Sequence, residues 1–153
     1  DPGRRPLLKP EAVWEIEQGL ATSALDVHDA SVDRTALYRA VLAAFEHFDF
    51  LVLPTAQVFP FDVTQRWPKS IAGREMDTYH RWMEVVILPT LTGCPALSVP
   101  AGFASEGEAA GLPMGIQIVG RPRDDLSVLQ LGHAWDRATD WARRVPPEPP
   151  QAA

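Results

Sequence analysis

Two neighbouring stretches decide the fold class: Pro95-Ala-Leu-Ser-Val-Pro-Ala-Gly-Phe103 and, after an acidic loop, Gly111-Leu-Pro-Met-Gly-Ile-Gln-Ile-Val-Gly120. Short apolar segments that contain β-branched residues and are bounded by Gly and Pro are typical of strands. We therefore predict one strand over Pro95–Pro100 and a second over Pro113–Gly120. The connection over Gly102–Gly111 lets the two strands pair in the manner of a hairpin with a long loop.

The second of these strands carries one amide side chain, Gln117, between Ile116 and Ile118. A buried amide needs hydrogen-bond partners. We interpret Gln117 first as a structural bridge to a neighbouring loop. The alternative, that it lines a pocket, stays open.

A third strand is predicted upstream, where Phe50-Leu-Val-Leu53 forms a continuous apolar run that ends at Pro54. Such a run is typical of a parallel strand that is buried on both faces. We therefore place it in the interior of a sheet, next to the strand of Gln117 or near it. The residues from Pro54 to Gly73 show no clear period, which predicts a long irregular loop of the kind that is often functional.

The apolar spacing of helices recurs in four segments, which are Pro10–Ala24, Ser31–Phe48, Glu75–Leu88 and Asp124–Arg144. Ser31 or Asp33 suits the cap of the second helix, and Asp124 or Asp125 suits the cap of the last. The third helix is apolar on both sides, so we expect it to be covered on more than one side. These elements predict an α/β fold whose apolar faces exceed what three strands can cover. We therefore expect part of a larger α/β protein.

Composition and charge narrow the classes of function. The 153 residues, 46% of them hydrophobic and 22% charged, fit one ordinary domain and exclude disorder for the bulk of the chain. The net charge of −6 and the scattered basic residues argue against a nucleic-acid partner. A membrane partner is not expected, because no apolar run approaches the roughly 18 residues that span a bilayer. The single cysteine, Cys94, fits a reducing compartment, so we expect a cytoplasmic location.

The chemically versatile residues form no familiar site by themselves. The glycines match no phosphate-binding pattern and the histidines are far apart, so we predict neither a cofactor nor a metal site. One hypothesis makes Cys94 a nucleophile, with His80 as its base and Glu84 as the group that orients the base. The simpler interpretation is that Cys94 is a small buried residue at the start of a strand.

The motifs around these strands resemble the C-terminal part of the amidase signature family. Its members commonly read G-x-P-A-x-x-x-P-x-G and then L-P-x-G-x-Q-x-x-G, as Gly93–Gly102 and Leu112–Gly120 do here. The segment Phe48-Asp-Phe-Leu-Val-Leu-Pro-Thr55 is similar to the family's f-D-x-L-x-x-P-T strand. Asp125–Leu129 is similar to the start of the leucine-rich helix that follows. The resemblance covers about residues 31–142.

The resemblance implies an α/β/α sandwich around a large mixed sheet, incomplete here, with residues 1–144 as its C-terminal part and 145–153 as a flexible proline-rich tail. It also implies hydrolysis of amide bonds, or use of the released ammonia, by a Ser–cis-Ser–Lys triad and an oxyanion hole in the N-terminal half. The Gly/Ser-rich signature of that half is absent, and Lys9 and Lys69 lie outside the family's catalytic-lysine context. We therefore expect no catalytic residue in this chain and no activity from it alone.

Two hypotheses on function follow from the resemblance. In the first, the chain is the C-terminal fragment of an amidase, and its partners are the missing N-terminal half of the same protein and a small-molecule amide. In the alternative, it is a catalytically silent binding or scaffold module that retains half of the fold. A homo-oligomer is compatible with both.

The resemblance further implies substrate contacts from the helix before Gly93-Cys-Pro-Ala, which lines the acyl side of the channel in this family, and from the loop after Thr55. The pocket candidates are Gln57, Phe59, Phe61, Tyr79, Trp82 and Val86. Ordinary packing is an equally good interpretation of each. Thr90 stands where many members carry Asn, so the preferred amide cannot be copied from any one relative.

Overall fold

The computed structural model describes residues 3–141, which form two compact units, one reaching to Val41 and one starting at Leu42. The segment 145–153, expected to be flexible, lies outside the described residues. Over residues 3–141, no helix has both the length and the apolar character that crossing a bilayer requires.

The first unit is helical. A single 3₁₀ turn at Arg5–Leu7 precedes helix α1, Pro10–Ala21, and helix α2 is Ala24–Ala44. The proline at the start of α1 fits the first helical turn, where the missing N–H costs nothing. The predicted first helix is thus confirmed, with an end three residues earlier than Ala24.

The predicted start of α2 at Ser31 is wrong because Ser23 supplies the cap instead. Ser23 Oγ accepts a hydrogen bond from the Asp26 N–H at 3.2 Å, and the Asp26 carboxylate accepts one from the Ser23 N–H at 2.9 Å. This reciprocal pair is a capping box with Asp in place of the usual Glu. The bonds from Ser23 hold the pKa of Asp26 below its ordinary value. Ser31 lies inside the helix and donates to the Val27 carbonyl at 2.9 Å.

The second unit holds the strands and the remaining helices. The strands are β1 (Leu51–Pro54), β2 (Ser70–Ile71), β3 (Arg74–Glu75), β4 (Ala96–Phe103) and β5 (Pro113–Val119). The helices are α3 (Tyr79–Trp82), α4 (Glu84–Thr92) and α5 (Asp125–Thr139). The predicted irregular loop after Pro54 is confirmed, apart from β2, which forms a two-residue ladder with β3.

The main sheet has the order β1-β5-β4, with both pairings antiparallel. Gln117 lies opposite Leu53 on one side and Ser98 on the other, so the predicted β4–β5 pairing and the position of β1 beside the strand of Gln117 are confirmed. The expected parallel direction of β1 is wrong, because β1 runs antiparallel to β5, and its expected interior position stays a prediction. In the part of the chain that the structure describes, β1 is an edge strand, and 56% of Val52 is exposed. Within residues 3–141, β5 is the one strand that pairs with β1.

Helices cover both faces of this sheet. Directly opposite residues share a face, so Val52, Leu97 and Ile118 lie on one face, and Leu53, Ser98 and Gln117 lie on the other. We call these the Ile118 face and the Gln117 face. α5 packs against β4 and β5 on the Ile118 face, where Ile118 is 2% exposed. α4 packs against β1, and its Val85 carbonyl accepts a bond from Gln117. The result is the α/β/α layering that the sequence predicts.

α5 fits closely because two glycines remove side-chain volume. A Cβ atom on Gly132 would overlap the side chain of Leu97, and one on Gly120 would overlap Val128. Asp124 caps the helix as predicted, accepting a bond from the Ser127 hydroxyl at 2.7 Å. The helix ends at Thr139, before the predicted Arg144, because Asp140 takes the left-handed conformation.

The predicted single helix over Glu75–Leu88 is wrong, because β3 includes Glu75 and the helical part is split at Met83. Thr78 caps α3 by accepting the Arg81 N–H at 3.2 Å. α4 then runs on to Thr92 with Pro89 inside it. Proline has no N–H, so the carbonyl four residues earlier loses its helical donor. That carbonyl belongs to Val85, and Gln117 Nε2 supplies the replacement at 2.9 Å.

Candidate functional site

A pocket of about 530 Å³ opens on the second unit, beside the middle of β4 and the start of β5. Residues of the loop after β1 form one wall, Trp82 of α3 adds to it, and the two strands form the other. The volume is in the range of pockets that bind small molecules. The apolar part of the lining is Ala56, Val58, Phe59, Pro60, Phe61, Trp82, Val99, Pro100, Pro113, Met114 and Gly115.

Gln57 fixes the loop wall of this pocket. Its Nε2 donates to the Arg81 carbonyl at 2.9 Å and to the Trp82 carbonyl at 2.6 Å. These carbonyls lie at the C-terminal end of α3, where the regular helical donors run out. One amide side chain therefore ties the loop to the end of the helix that carries Trp82.

Edge-to-face aromatic contacts hold Trp82 in place. Its ring lies 5.8 Å from that of Phe61 and 6.0 Å from that of Tyr79, and Tyr79 in turn contacts Trp67. The indole N–H of Trp82 is buried, and within residues 3–141 it has no hydrogen-bond partner. Because the nitrogen is covered by protein atoms, a molecule in the pocket meets the ring of Trp82 and not its N–H.

The polar part of the lining is a pair of hydroxyl groups. Thr55 Oγ1 and Ser98 Oγ lie 3.3 Å apart, and the Thr55 N–H donates to the Gly115 carbonyl at 3.0 Å. A Cβ atom on Gly115 would come within 2.9 Å of Thr55 Oγ1, so a glycine here keeps the space beside the hydroxyl open. Thr55, Ser98 and Gly115 each come from a different one of the three motifs quoted from the sequence. We call this group the hydroxyl floor.

A charged network centres on Arg81 of α3, next to the pocket residue Trp82. Arg81 pairs with Asp77 at 3.2 Å and with Glu84 at 3.5 Å, and Glu84 also pairs with Arg74 at 3.0 Å. The hydrogen bond from Arg81 lowers the pKa of Asp77, and the same bond raises the pKa of Arg81. Among residues 3–141, no group of three or more His, Cys, Asp or Glu side chains is arranged to hold a metal ion.

Comparison with known proteins places this geometry in a family. The family model described as Amidase matches residues 3–129. The chain belongs to the amidase signature family. It is 37% identical over 117 residues to a glutamyl-tRNA(Gln) amidotransferase subunit of Desulforudis audaxviator (strain MP104C), covering 76% of this chain and 22% of that protein. The same subunit of Dehalococcoides mccartyi (strain ATCC BAA-2266 / KCTC 15142 / 195) is 34% identical over 90% of this chain and 27% of its own length.

Solved structures support the same assignment. A bacterial aryl acylamidase of the amidase signature enzymes family superposes with a TM-score of 0.73 at 28% identity, covering 88% of this chain and 27% of that one. A second structure, described as an amidase, gives a TM-score of 0.71 at 26% identity, covering 86% and 29%. The family and the α/β fold expected from the motifs are therefore confirmed. The chain spans about a quarter of the length of the curated relatives it matches.

The structure brings three of the six predicted pocket residues of this amidase chain together. Phe59, Phe61 and Trp82 line the pocket. Gln57 and Tyr79 support that lining from behind, through the hydrogen bonds and ring contacts described above. Val86 is a half-buried residue in the first turn of α4 and is outside the lining. Contact with substrate stays a prediction for all six.

Sequence reasoning did not single out the hydroxyl floor. The signal was present, since Thr55, Ser98 and Gly115 all belong to the quoted motifs. The grouping of these three residues could not be predicted, because it depends on the strand register. The register places Ser98 opposite Gln117 and brings the Gly115 carbonyl to the Thr55 N–H.

Gln117 has the structural role that was preferred from sequence. It is 4% exposed, and its Nε2 donates to the Pro54 and Val85 carbonyls, both at 2.9 Å. It bridges β1 and α4, and it is not part of the pocket lining.

Cys94 likewise fits the packing interpretation better than the catalytic one. It is 8% exposed at the C-terminal end of α4, where its N–H donates to the Pro89 carbonyl. The carboxylate of Glu84, its hypothetical orienting group, is committed to Arg74 and Arg81. Cys94 is outside the lining of the pocket.

Proposed function

We propose that the chain is the C-terminal part of an amide hydrolase and that its pocket holds the acyl side of the substrate. The observation that carries the proposal is the convergence of the three family motifs on one pocket through Thr55, Ser98 and Gly115. If the chain served only to complete a sheet, its motifs would be needed for strand pairing and packing. They would not also be expected to line an open apolar pocket. The catalytic Ser–cis-Ser–Lys triad is assigned to the rest of the polypeptide.

In the proposed reaction the triad serine attacks the amide carbonyl and its proton passes through the second serine and the lysine to the leaving nitrogen. The C–N bond breaks and the amine or ammonia departs, leaving an acyl-enzyme ester. Water then attacks the ester and releases the carboxylic acid and the free serine. Backbone amides stabilise the oxyanion in both steps. The residues described here bind and orient the acyl group.

The exposed apolar surface supports a partner for this piece within its own protein. Val52 on the edge strand β1 is 56% exposed, and Val63 in the loop after β1 is 97% exposed. Leu126 and Leu129 lie exposed on α5. An edge strand with unpaired backbone groups invites a further strand. The coverage of 22% to 27% of each relative leaves ample chain for that role.

The test compares the longer protein that contains this chain with the chain alone. We expect the longer protein to hydrolyse simple amides, to be labelled by a fluorophosphonate on a serine outside residues 1–153, and to keep its activity in Cys94→Ala. We expect the 153-residue chain alone to show no turnover above background. Turnover by the chain alone that Cys94→Ala abolishes would contradict the proposal. A longer protein without a Gly/Ser-rich signature and without activity would favour the scaffold module.

A further inference from the structure

The electrostatic character of the pocket limits what it can bind. Among the residues that the structure describes, its lining contains no charged side chain. Arg81 of α3 pairs with Asp77, which precedes the helix, and with Glu84 at the start of α4. An ammonium or carboxylate group held against this lining would gain no counter-charge from it. The apolar walls, in contrast, gain free energy by covering an apolar group.

The hydroxyl floor adds one polar binding position. When two hydroxyls pair, one proton is used, so the accepting hydroxyl keeps its own proton and both oxygens keep lone pairs. The pair of Thr55 and Ser98 therefore retains one free donor and several acceptor positions. Ser98 is exposed and Thr55 is half-buried, so a molecule in the pocket can reach both oxygens.

We propose that this pocket selects amides whose acyl group is apolar, uncharged and of aryl size, with the Thr55–Ser98 pair binding one neutral polar substituent on that group. The inference rests on the proposed function, because it names the substrate class of the same site. It separates two kinds of amide: neutral arylalkyl amides are accepted, and amides with charge on the acyl side, such as the zwitterion glutamine, are rejected. Thr55 and Ser98 are then specificity-determining residues.

The experiment uses the longer protein and a substrate series of one shape. We choose 3-phenylpropionamide, its 4-hydroxy and 4-carboxy derivatives, and L-glutamine. The expected kcat/KM for the two neutral amides exceeds that for the 4-carboxy derivative and for glutamine by about 10-fold or more, since the apolar walls favour an uncharged group and offer a charged one no partner. The 4-hydroxy derivative is expected to be at least as good a substrate as its parent.

Two variants test the hydroxyl floor. Thr55→Val removes the hydroxyl and keeps the shape, so the ratio of KM for the 4-hydroxy derivative to KM for the parent should rise about 3- to 10-fold, as the loss of one hydrogen bond predicts. Thr64→Val is the matched control, because the Thr64 hydroxyl binds Asp62 in the same loop and is outside the pocket lining. Gly115→Ala places a methyl beside Thr55 and should lower kcat/KM for 3-phenylpropionamide at least about 5-fold more than for acetamide.

The outcomes distinguish this inference from the function on which it rests. If the longer protein hydrolyses glutamine or the 4-carboxy amide as well as the neutral amides, the substrate class is wrong and the amidase proposal stands. If it hydrolyses no amide, the amidase proposal fails. The selectivity of the pocket is then tested by calorimetric binding of the 4-hydroxy derivative. Binding that Thr55→Val weakens and Thr64→Val does not would support the pocket's selectivity, and binding that neither variant changes would overturn it.

Discussion

The two faces of the central sheet are built in opposite ways. On the Ile118 face, glycines at 120 and 132 let α5 approach so closely that a single added methyl would overlap Val128 or Leu97. On the Gln117 face, the helical cover is split at Met83 and interrupted by Pro89, and polar groups of the strands replace the missing contacts. The first face is closed by complementary shape. The second is held by a few hydrogen bonds and leaves room for the pocket. The close packing therefore lies on one side of the sheet, and the pocket proposed to bind substrate lies on the other.

The largest expected effect comes from breaking the closed face. Gly132→Val inserts three carbon atoms where Leu97 already lies, and overpacking of this kind destabilises by about 3 kcal/mol. The matched control is Gly19→Val in α1, because the space around a Cβ atom there is open to 4 Å. The control should change the free energy of unfolding by less than about 0.5 kcal/mol, since Val and Gly differ little in helix propensity. Urea denaturation measures both, and equal effects of the two variants would contradict the close packing of α5.

The next effect comes from removing the bridge on the Gln117 face. Gln117→Leu deprives the Pro54 and Val85 carbonyls of their donor, and we expect a loss of about 2 kcal/mol in the free energy of unfolding. The exposed Gln130 of α5 gives the matched Gln→Leu control, with an expected change within about 0.5 kcal/mol. If Gln117→Leu were neutral, the helix interruption at Pro89 would need another explanation.

A smaller effect should appear in activity rather than in stability when the loop wall is loosened. Gln57→Ala removes both bonds to the end of α3, so the wall with Phe59 and Phe61 loses its fixed position. We expect the KM of the longer protein for 3-phenylpropionamide to rise about 5-fold, the value of roughly one hydrogen bond, with kcat nearly unchanged. Gln65→Ala is the control, because the Gln65 side chain reaches only the Trp67 carbonyl at 3.4 Å. A fall in kcat with constant KM would show that Gln57 does not act through substrate binding.

The contrast between the faces also explains what the sequence could predict. The apolar spacing predicts β4 and β5, and the Asp124 cap predicts the start of α5. These predictions hold because the residues that are apolar in sequence are also those buried on the closed face. The split at Met83 is not predicted, because apolar residues continue through it at helical spacing. The later start of α3 depends on Thr78, which caps the helix. The parallel direction expected for β1 is wrong because an apolar run does not encode the direction of the strand beside it. The hydroxyl floor depends on the register between strands, which cannot be predicted from any one segment of the sequence.

The smallest expected effect concerns the charge pair that supports α3 on the open face. The pKa of Asp77 is lowered by its hydrogen bond with Arg81, so the folded state binds a proton less readily than the unfolded state. The stabilisation is fully present above the ordinary Asp pKa of about 4 and is lost as the pH falls through the lower folded value. Because the pair is exposed, the effect is small and screened by salt. The thermal midpoint of Asp77→Asn should therefore lie slightly below that of the unsubstituted protein at pH 6, and the difference should disappear below pH 4.

Arg81→Gln tests the cause, because the Asp77 carboxyl should then titrate closer to its ordinary pKa in a carbon-detected NMR titration. An Asp77 titration that Arg81→Gln leaves unchanged would show that the pair does not support α3, and the open face would then depend on Gln57 and Gln117 alone.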